Sequence, residues 1–256
     1  MKKIIVSLIV SALFVGISFA SNTSSRCKTL LEQTKGTAKQ QIAEQTCGVT
    51  PTVTKKVARK IIGKIPHRSD TSISTGDVKK ILADSIIIWN PKARYLIIEY
   101  SDLQCPFCQR HWKDQTLNSV VDKYKWKVAK TFRNFPLEFH QHADSGAFAA
   151  LCVAMQDKGK YYEFIGWVFE KGLSSESVIY EVAGNIKIDV KTLKECISSN
   201  LAKERTARQI LEAMNLFGVT GTPWHVILDT INGKYKLIIW AYPASEFEGF
   251  FDRILK

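Results

Sequence analysis

YSDLQCPFCQRH, residues 100–111, places Cys105 and Cys108 three residues apart, directly behind the apolar run YLIIEY of residues 95–100. A continuous run of that kind reads as a strand buried on both faces. Pro106 fits the first turn of a helix, where its missing N–H removes no bond. The helix continues through FCQRHWKDQTLNSVVDKY. Sulfurs at i and i+3 of a helix share a face and fall within disulfide reach. Such a pair can hold a metal, staple a fold or exchange electrons. A zinc site needs four ligands, and here His111 stands isolated beside one C-x-x-C, so no metal and no cofactor is expected. A staple across one helical turn closes too short a loop to constrain the chain. Its ease of breaking suits a reagent. The N-terminus of the helix would stabilise a Cys105 thiolate, moving a thiol of about 8.5 toward roughly 3.5–7. A cysteine of that kind both attacks and leaves well.

The start of the chain says where this chemistry takes place. MKKIIVSLIVSALFVGISFA, residues 1–20, has a lysine pair, an apolar stretch and a small-x-small ending, the pattern of a signal peptide cleaved after Ala20. A retained anchor is the alternative, but the apolar stretch is shorter than the ~20 residues of a spanning helix. The expectation is export to a periplasm or the outside, where disulfides persist. The six cysteines are then read as pairs, although the rest of the chain is long enough to bury a core without staples. The formal charge of +12 is uneven: residues 21–90 carry 12 Lys/Arg against 5 Asp/Glu. For an exported chain nucleic acid is not the expected partner. The basic excess reads as a solvated helix face, with an anionic lipid surface as the other reading.

Residues 21–85 read as a helical extension and linker. Cys27 and Cys47 would lie about 30 Å apart on one straight helix. A Cys27–Cys47 disulfide therefore demands a bend, expected at Gly36, that closes a small hairpin. A basic helix over residues 50–65 follows, with Thr50 as its cap and Val53, Val57 and Ile61 in a stripe. Residues 67–77 read as linker. From residue 86 the pattern becomes α/β: strand, helix, strand, a helical block over about 140–217, a hairpin turning at Asn232-Gly233, and a last helix in PASEFEGFFDRIL.

Two further features bear on the chemistry. GVTGTPW, residues 218–224, precedes a strand. Thr222-Pro223 is the place to expect a cis peptide leading into an edge strand, whose free backbone groups could pair with an extended substrate. An ordinary turn proline is the alternative. Glu99 is the one charge in YLIIEY. In a strand covered on both faces it would be buried, its pKa raised, and it could pass a proton to or from Cys108. A solvent-facing strand residue is the alternative.

Taken together, IIEYSDLQCPFCQRH, RNFPLEFHQHA and GVTGTPW, in that order, resemble the DsbA-like thiol–disulfide oxidoreductases over about residues 88–256. The resemblance implies a thioredoxin fold with a helical insertion, Cys105 as attacking cysteine and Cys108 as buried resolving cysteine. It also implies a cis Pro223 facing the disulfide, with Thr222 touching substrate. Pro106-Phe107 stands where the most oxidising members carry Pro-His, and the redox direction stays open on that account. Cys152 and Cys196 both lie in apolar helical surroundings, and similar cysteines occur in parts of the family. A structural disulfide between them is expected, with two buried free thiols as the alternative. His140 matches a family position; like His67, His142 and His225 it reads as a packed or hydrogen-bonded histidine. The implied substrates are reduced exported proteins, and the implied reoxidant is a membrane quinone-linked partner of the DsbB or vitamin K epoxide reductase type. A reduced, oligomeric isomerase or reductase is the second reading, and a redox-inert chaperone or binding module the third. Oligomeric state is left open.

Overall fold

The computed structural model describes residues 71–255. The signal peptide, the Cys27–Cys47 pairing, the helix over 50–65 and His67 lie outside them.

The apolar run forms strand β2 (Tyr95–Ser101), in which all seven residues are buried. It can be buried on both faces because it lies at the centre of a five-stranded sheet. The others are β1 (Ile87–Ile88), β3 (Val128–Asn134), β4 (Trp224–Asp229) and β5 (Tyr235–Ile239), in the order β1-β3-β2-β4-β5. β2 runs parallel to β3, from Tyr95 opposite Val128 to Ser101 opposite Asn134, and antiparallel to β4. The sheet is mixed, as the sequence order of a crossover followed by a hairpin requires.

Alternation along β2 divides the core in two. Leu96, Ile98 and Tyr100 meet Val78 and Ile81 of α1 (Thr75–Asp84) and Ala213 and Phe217 of α8 (Asn200–Phe217). Tyr95 and Ile97 meet Leu117, Val120 and Val121 of α3 (Thr116–Tyr124) and Phe247 and Phe251 of α9 (Ala244–Ile254). Each such side chain contributes about 1.5–3 kcal/mol on burial.

The helical block is an insertion of α4 (Ala143–Gln156), α5 (Tyr161–Lys171), α6 (Glu176–Asn185) and α7 (Val190–Ser198), running on into α8. Its core of Phe164, Val168, Ile179 and Leu193 is continuous with Cys105 and Cys108. The insertion therefore forms one wall around the dithiol. Cys152 and Cys196 are disulfide-bonded across 44 residues and tie α4 to α7.

Three local expectations change. Residues 71–77 of the linker expected over 67–77 are structured: Ser72 bridges Lys234, the Ile73 N–H donates to Gly233 O at 2.9 Å, and Ser74 caps α1 by accepting from the Asp77 N–H. Residues 71–85 thus pack on the sheet, because Val78 and Ile81 give α1 an apolar face. The hairpin turn is the five residues between Asp229 and Tyr235 rather than a tight pair. Gly233 is still needed there, since its φ is +72° and a Cβ would lie 2.2 Å from Ile73 O. Finally, β4 is interior, paired with β2 on one side and β5 on the other. Its backbone is not a free edge.

Candidate active site

The turn that carries the dithiol is built around Asp102, a carboxylate with no side-chain exposure. Oδ1 accepts from the Gln104 N–H at 2.7 Å, while Oδ2 accepts from the Leu137 N–H at 2.9 Å and from His140 Nδ1 at 2.7 Å. The Cys105 N–H donates to Asp102 O at 3.1 Å. His140 is thus a hydrogen-bonded histidine that ties the segment after β3 to the loop before Cys105. His142 lies at the start of α4, its N–H donating to Gln104 Oε1.

α2 (Pro106–Lys113) follows, with Cys105 as its N-cap and Pro106 in its first turn. Both thiols are free. Cys105 is only 3 % exposed and Cys108 is fully buried, so exposure barely separates them. Their surroundings separate them instead. The Cys108 thiol donates toward Cys105, and the Cys108 and Phe107 N–H groups and the Thr222 side chain favour the thiolate further. These outweigh burial and bring Cys105 down to about 6. Burial pushes Cys108 well up, and the bond it gives to Cys105 and the charge there push it further. Phe107 projects 49 % exposed, with the Arg110 guanidinium 5.5 Å above its ring.

Thr222-Pro223 is cis. Cys105 Sγ lies 3.7 Å from Thr222 O, so a loop 117 residues downstream in sequence closes directly over the Cys105 sulfur. The Trp240 N–H already takes Pro223 O, at 3.1 Å.

Beneath the dithiol lies Glu99, 2 % exposed. Burial raises its pKa, against the nearby Lys130 charge. The Ser101 hydroxyl sits near enough to both Glu99 and Cys108 to favour their ionised forms, though it makes no well-formed hydrogen bond. Sequence reasoning misses the neighbours of Glu99. Lys130 is buried, its ammonium 4.7 Å from the Trp112 ring centroid and 5.8 Å from that of Tyr162, and burial brings it down to about 8. His225 stands directly across from Glu99 in the sheet. His111 of α2 meets it ring to ring at 4.5 Å. The signal for Lys130 was available: it is the one charge in the VAKTF stretch of β3, as Glu99 is in β2.

The predicted residues Cys105, Cys108, Pro106, Phe107, Thr222 and Pro223 are therefore gathered at one point, with Glu99 behind them. Cys152 and Cys196 form their own bond in the insertion, apart from the dithiol. Cys27 and Cys47 lie outside the described residues. Among the described residues, no cluster of three or more His, Cys, Asp or Glu side chains is arranged for a metal.

The family model Thioredoxin_4, described as thioredoxin, matches residues 82–236. The chain belongs to the thioredoxin family. With this dithiol it is a thiol–disulfide oxidoreductase. Its fold is similar to that of Wolbachia pipientis alpha-DsbA1, at 21 % identity and a TM-score of 0.58, covering 66 % of this chain and 90 % of that one. Pseudomonas aeruginosa DsbA2 matches at 24 % identity and 0.56, covering 66 % and 93 %. Oxidised BdbD from Bacillus subtilis matches at 18 % and 0.57, covering 72 % and 96 %. No curated protein sequence matches the chain. The fold of this family member is thus DsbA-like, a thioredoxin sheet with a helical insertion.

Proposed function

We propose that this protein introduces disulfide bonds into exported proteins. The observation that carries the reading is the asymmetry of the pair: Cys105 is brought down to about 6 at a helix N-terminus while Cys108 is pushed well up in the core. A client thiolate attacks Cys105 Sγ of the oxidised pair, and Cys108 leaves with the electron pair and takes up a proton. The resulting client–Cys105 mixed disulfide is broken by a second client thiolate, which releases the reduced enzyme and an oxidised client. Stabilising the Cys105 thiolate stabilises the reduced enzyme and so makes its disulfide a better oxidant. Thr222 and Pro223 would hold the client chain beside Cys105, and Phe107 would offer it an apolar contact. Glu99 would supply or accept the Cys108 proton. Export by the signal peptide would place the enzyme in a periplasm or outside the cell. A membrane quinone-linked partner of the DsbB or vitamin K epoxide reductase type would reoxidise it. Among the described residues, no helix is long and apolar enough to cross a membrane.

One observation favours a second reading. A Cys105 at about 6 lies nearer the roughly 7 of thioredoxin than the roughly 3.5 of the strongest oxidants, which suits an isomerase or reductase kept reduced. The reduction potential of Cys105–Cys108, measured by equilibration with glutathione, decides between them. A value near about −120 mV supports the oxidase, and one near about −270 mV sinks it in favour of the reductase.

A further inference from the structure

In the reverse of the first exchange step, where Cys108 rather than a second client thiol breaks the mixed disulfide, the Cys108 proton has to leave the protein, and the client then covers the cleft above the sulfurs. Glu99, the acceptor in the reading above, is itself buried. Behind it lies a cavity of about 10 Å³, space for about one water. Glu99, Lys130 and His111 line it together with Gln115, in the turn between α2 and α3, and Asn118 in the first turn of α3. Gln115 is exposed to solvent.

Four buried polar atoms in this cluster have no hydrogen-bond partner: Glu99 Oε1, Ser101 Oγ, His111 Nε2 and His225 Nε2. Each such atom costs stability, and native cores hold few of them. His225 Nδ1 lies 3.2 Å from Ile238 O, which can only accept, so Nδ1 carries the proton and Nε2 is a bare acceptor. That ring stands opposite Glu99 and in contact with His111.

We infer that His111 carries the proton between Glu99 and solvent, through the cavity at the α2–α3 turn, on the side of the dithiol away from the client. The inference rests on Glu99 as the proton acceptor for Cys108. In the resolving step, Cys108–SH gives its proton to the Glu99 carboxylate. The Cys108 thiolate attacks Cys105 Sγ, the Cys105–client bond breaks, and the client leaves as a thiolate with the electron pair. Glu99 then passes the proton to His111 Nε2, directly or through a water in the cavity, and the imidazolium releases it to solvent. His225, opposite Glu99 in the sheet and ring to ring with His111, is a positioning residue.

The groups facing His111 are Glu99 of β2, Lys130 of β3, His225 of β4, Arg110 of α2 and the apolar Phe247 of α9, with Asp122 of α3 acting on Lys130. Burial and the two cations hold His111 at about 4. It is therefore neutral at rest and holds a proton only in transit.

The test is stopped-flow resolution of a Cys105 mixed disulfide with a small peptide, in the full exported chain, across pH 5–9 and in deuterated water. His111→Phe should slow resolution about tenfold and change its solvent isotope effect, while alkylation of Cys105 stays within about twofold. His111→Gln keeps a polar side chain without a titrating proton and should be equally slow. It also stands in if the phenylalanine variant fails to fold. Normal resolution in His111→Gln overturns the carrier role, whatever the phenylalanine variant does. Glu99→Gln separates the two layers. If it too resolves normally, the assignment of Glu99 has failed; if it is slow while both His111 variants are normal, only the route has.

Discussion

On the α1 and α8 face of the sheet, Arg133 is 1 % exposed and surrounded by acceptors. It donates to Asp84 O and Oδ2, both at 2.9 Å, and to Ile81 O at 3.0 Å, and its Nε forms an ion pair with Glu212 Oε1 at 3.2 Å. Tyr100 donates to the same Glu212 oxygen at 2.7 Å. On the opposite face, one residue before Tyr100 in β2 and three before Arg133 in β3, Glu99 and Lys130 are also buried but lie among atoms that have no partner. Both clusters set charges in a core that would be more easily filled with hydrocarbon. One pairs its charges at close range and joins four elements, with only Arg133 Nε short of a well-formed hydrogen bond; the other has several atoms without one. An unsatisfied cluster of titratable groups is poorly suited to holding a fold and well suited to moving protons. On the function proposed above, the difference sets a structural network against a chemical one within a single sheet.

The largest expected effect breaks the chemical side outright. Cys105→Ser should abolish exchange with a peptide disulfide, and Cys108→Ser should accumulate mixed disulfides, visible by mass spectrometry as adducts at Cys105. Trapping in the Cys105 variant instead would exchange the two roles.

Next comes the structural side. Arg133→Met leaves Asp84 and Glu212 without their buried partner, and should destabilise the protein by about 3–5 kcal/mol in denaturant unfolding. The pH profile of Cys105 alkylation in the folded variant should not move. A shifted profile would show that the two clusters are coupled through the sheet.

The smallest effect has the opposite sign. Replacing both members of a buried charge pair is often neutral or stabilising by about 1–4 kcal/mol, so Glu99→Gln/Lys130→Met should fold at least as stably as the parent while exchanging more slowly. The pH dependence sharpens this. Glu99 has a raised pKa in the folded state, so its contribution is greatest below the unfolded carboxyl value of about 4.3 and is lost as pH rises toward the folded one. Lys130, at about 8 in the fold, works the other way, returning stability as pH climbs from about 8 toward about 10.4. Both slopes should disappear in the double variant. A marked loss of stability would place Glu99 and Lys130 with Arg133 as structural.

Much of this was legible because it depended on local rules. The apolar run, Pro106 and the Cys spacing specify a strand, a helix start and two sulfurs on one face without reference to the rest of the chain. Glu99 stood out as one charge in an apolar strand. The same rule applied to β3 would have found Lys130. The pairing of His111 with His225 was not legible, since one is on a helix and the other on a distant strand, and only the antiparallel pairing of β2 with β4 brings them together. The interior place of β4 was hidden for the same reason: a strand before a hairpin reads as an edge until its other neighbour is known. The burial of Cys105 is likewise tertiary, set by the Thr222 loop and the wall of the insertion.

The central claim is that the surroundings, rather than exposure, make one of two covered thiols a thiolate. Alkylation of the reduced protein by iodoacetamide, followed against pH with peptide mapping, tests it most directly. The account predicts a rate that rises with a midpoint near pH 6, with the label on Cys105 and almost none on Cys108. A midpoint near the roughly 8.5 of a free thiol, or equal labelling of both cysteines, would contradict it.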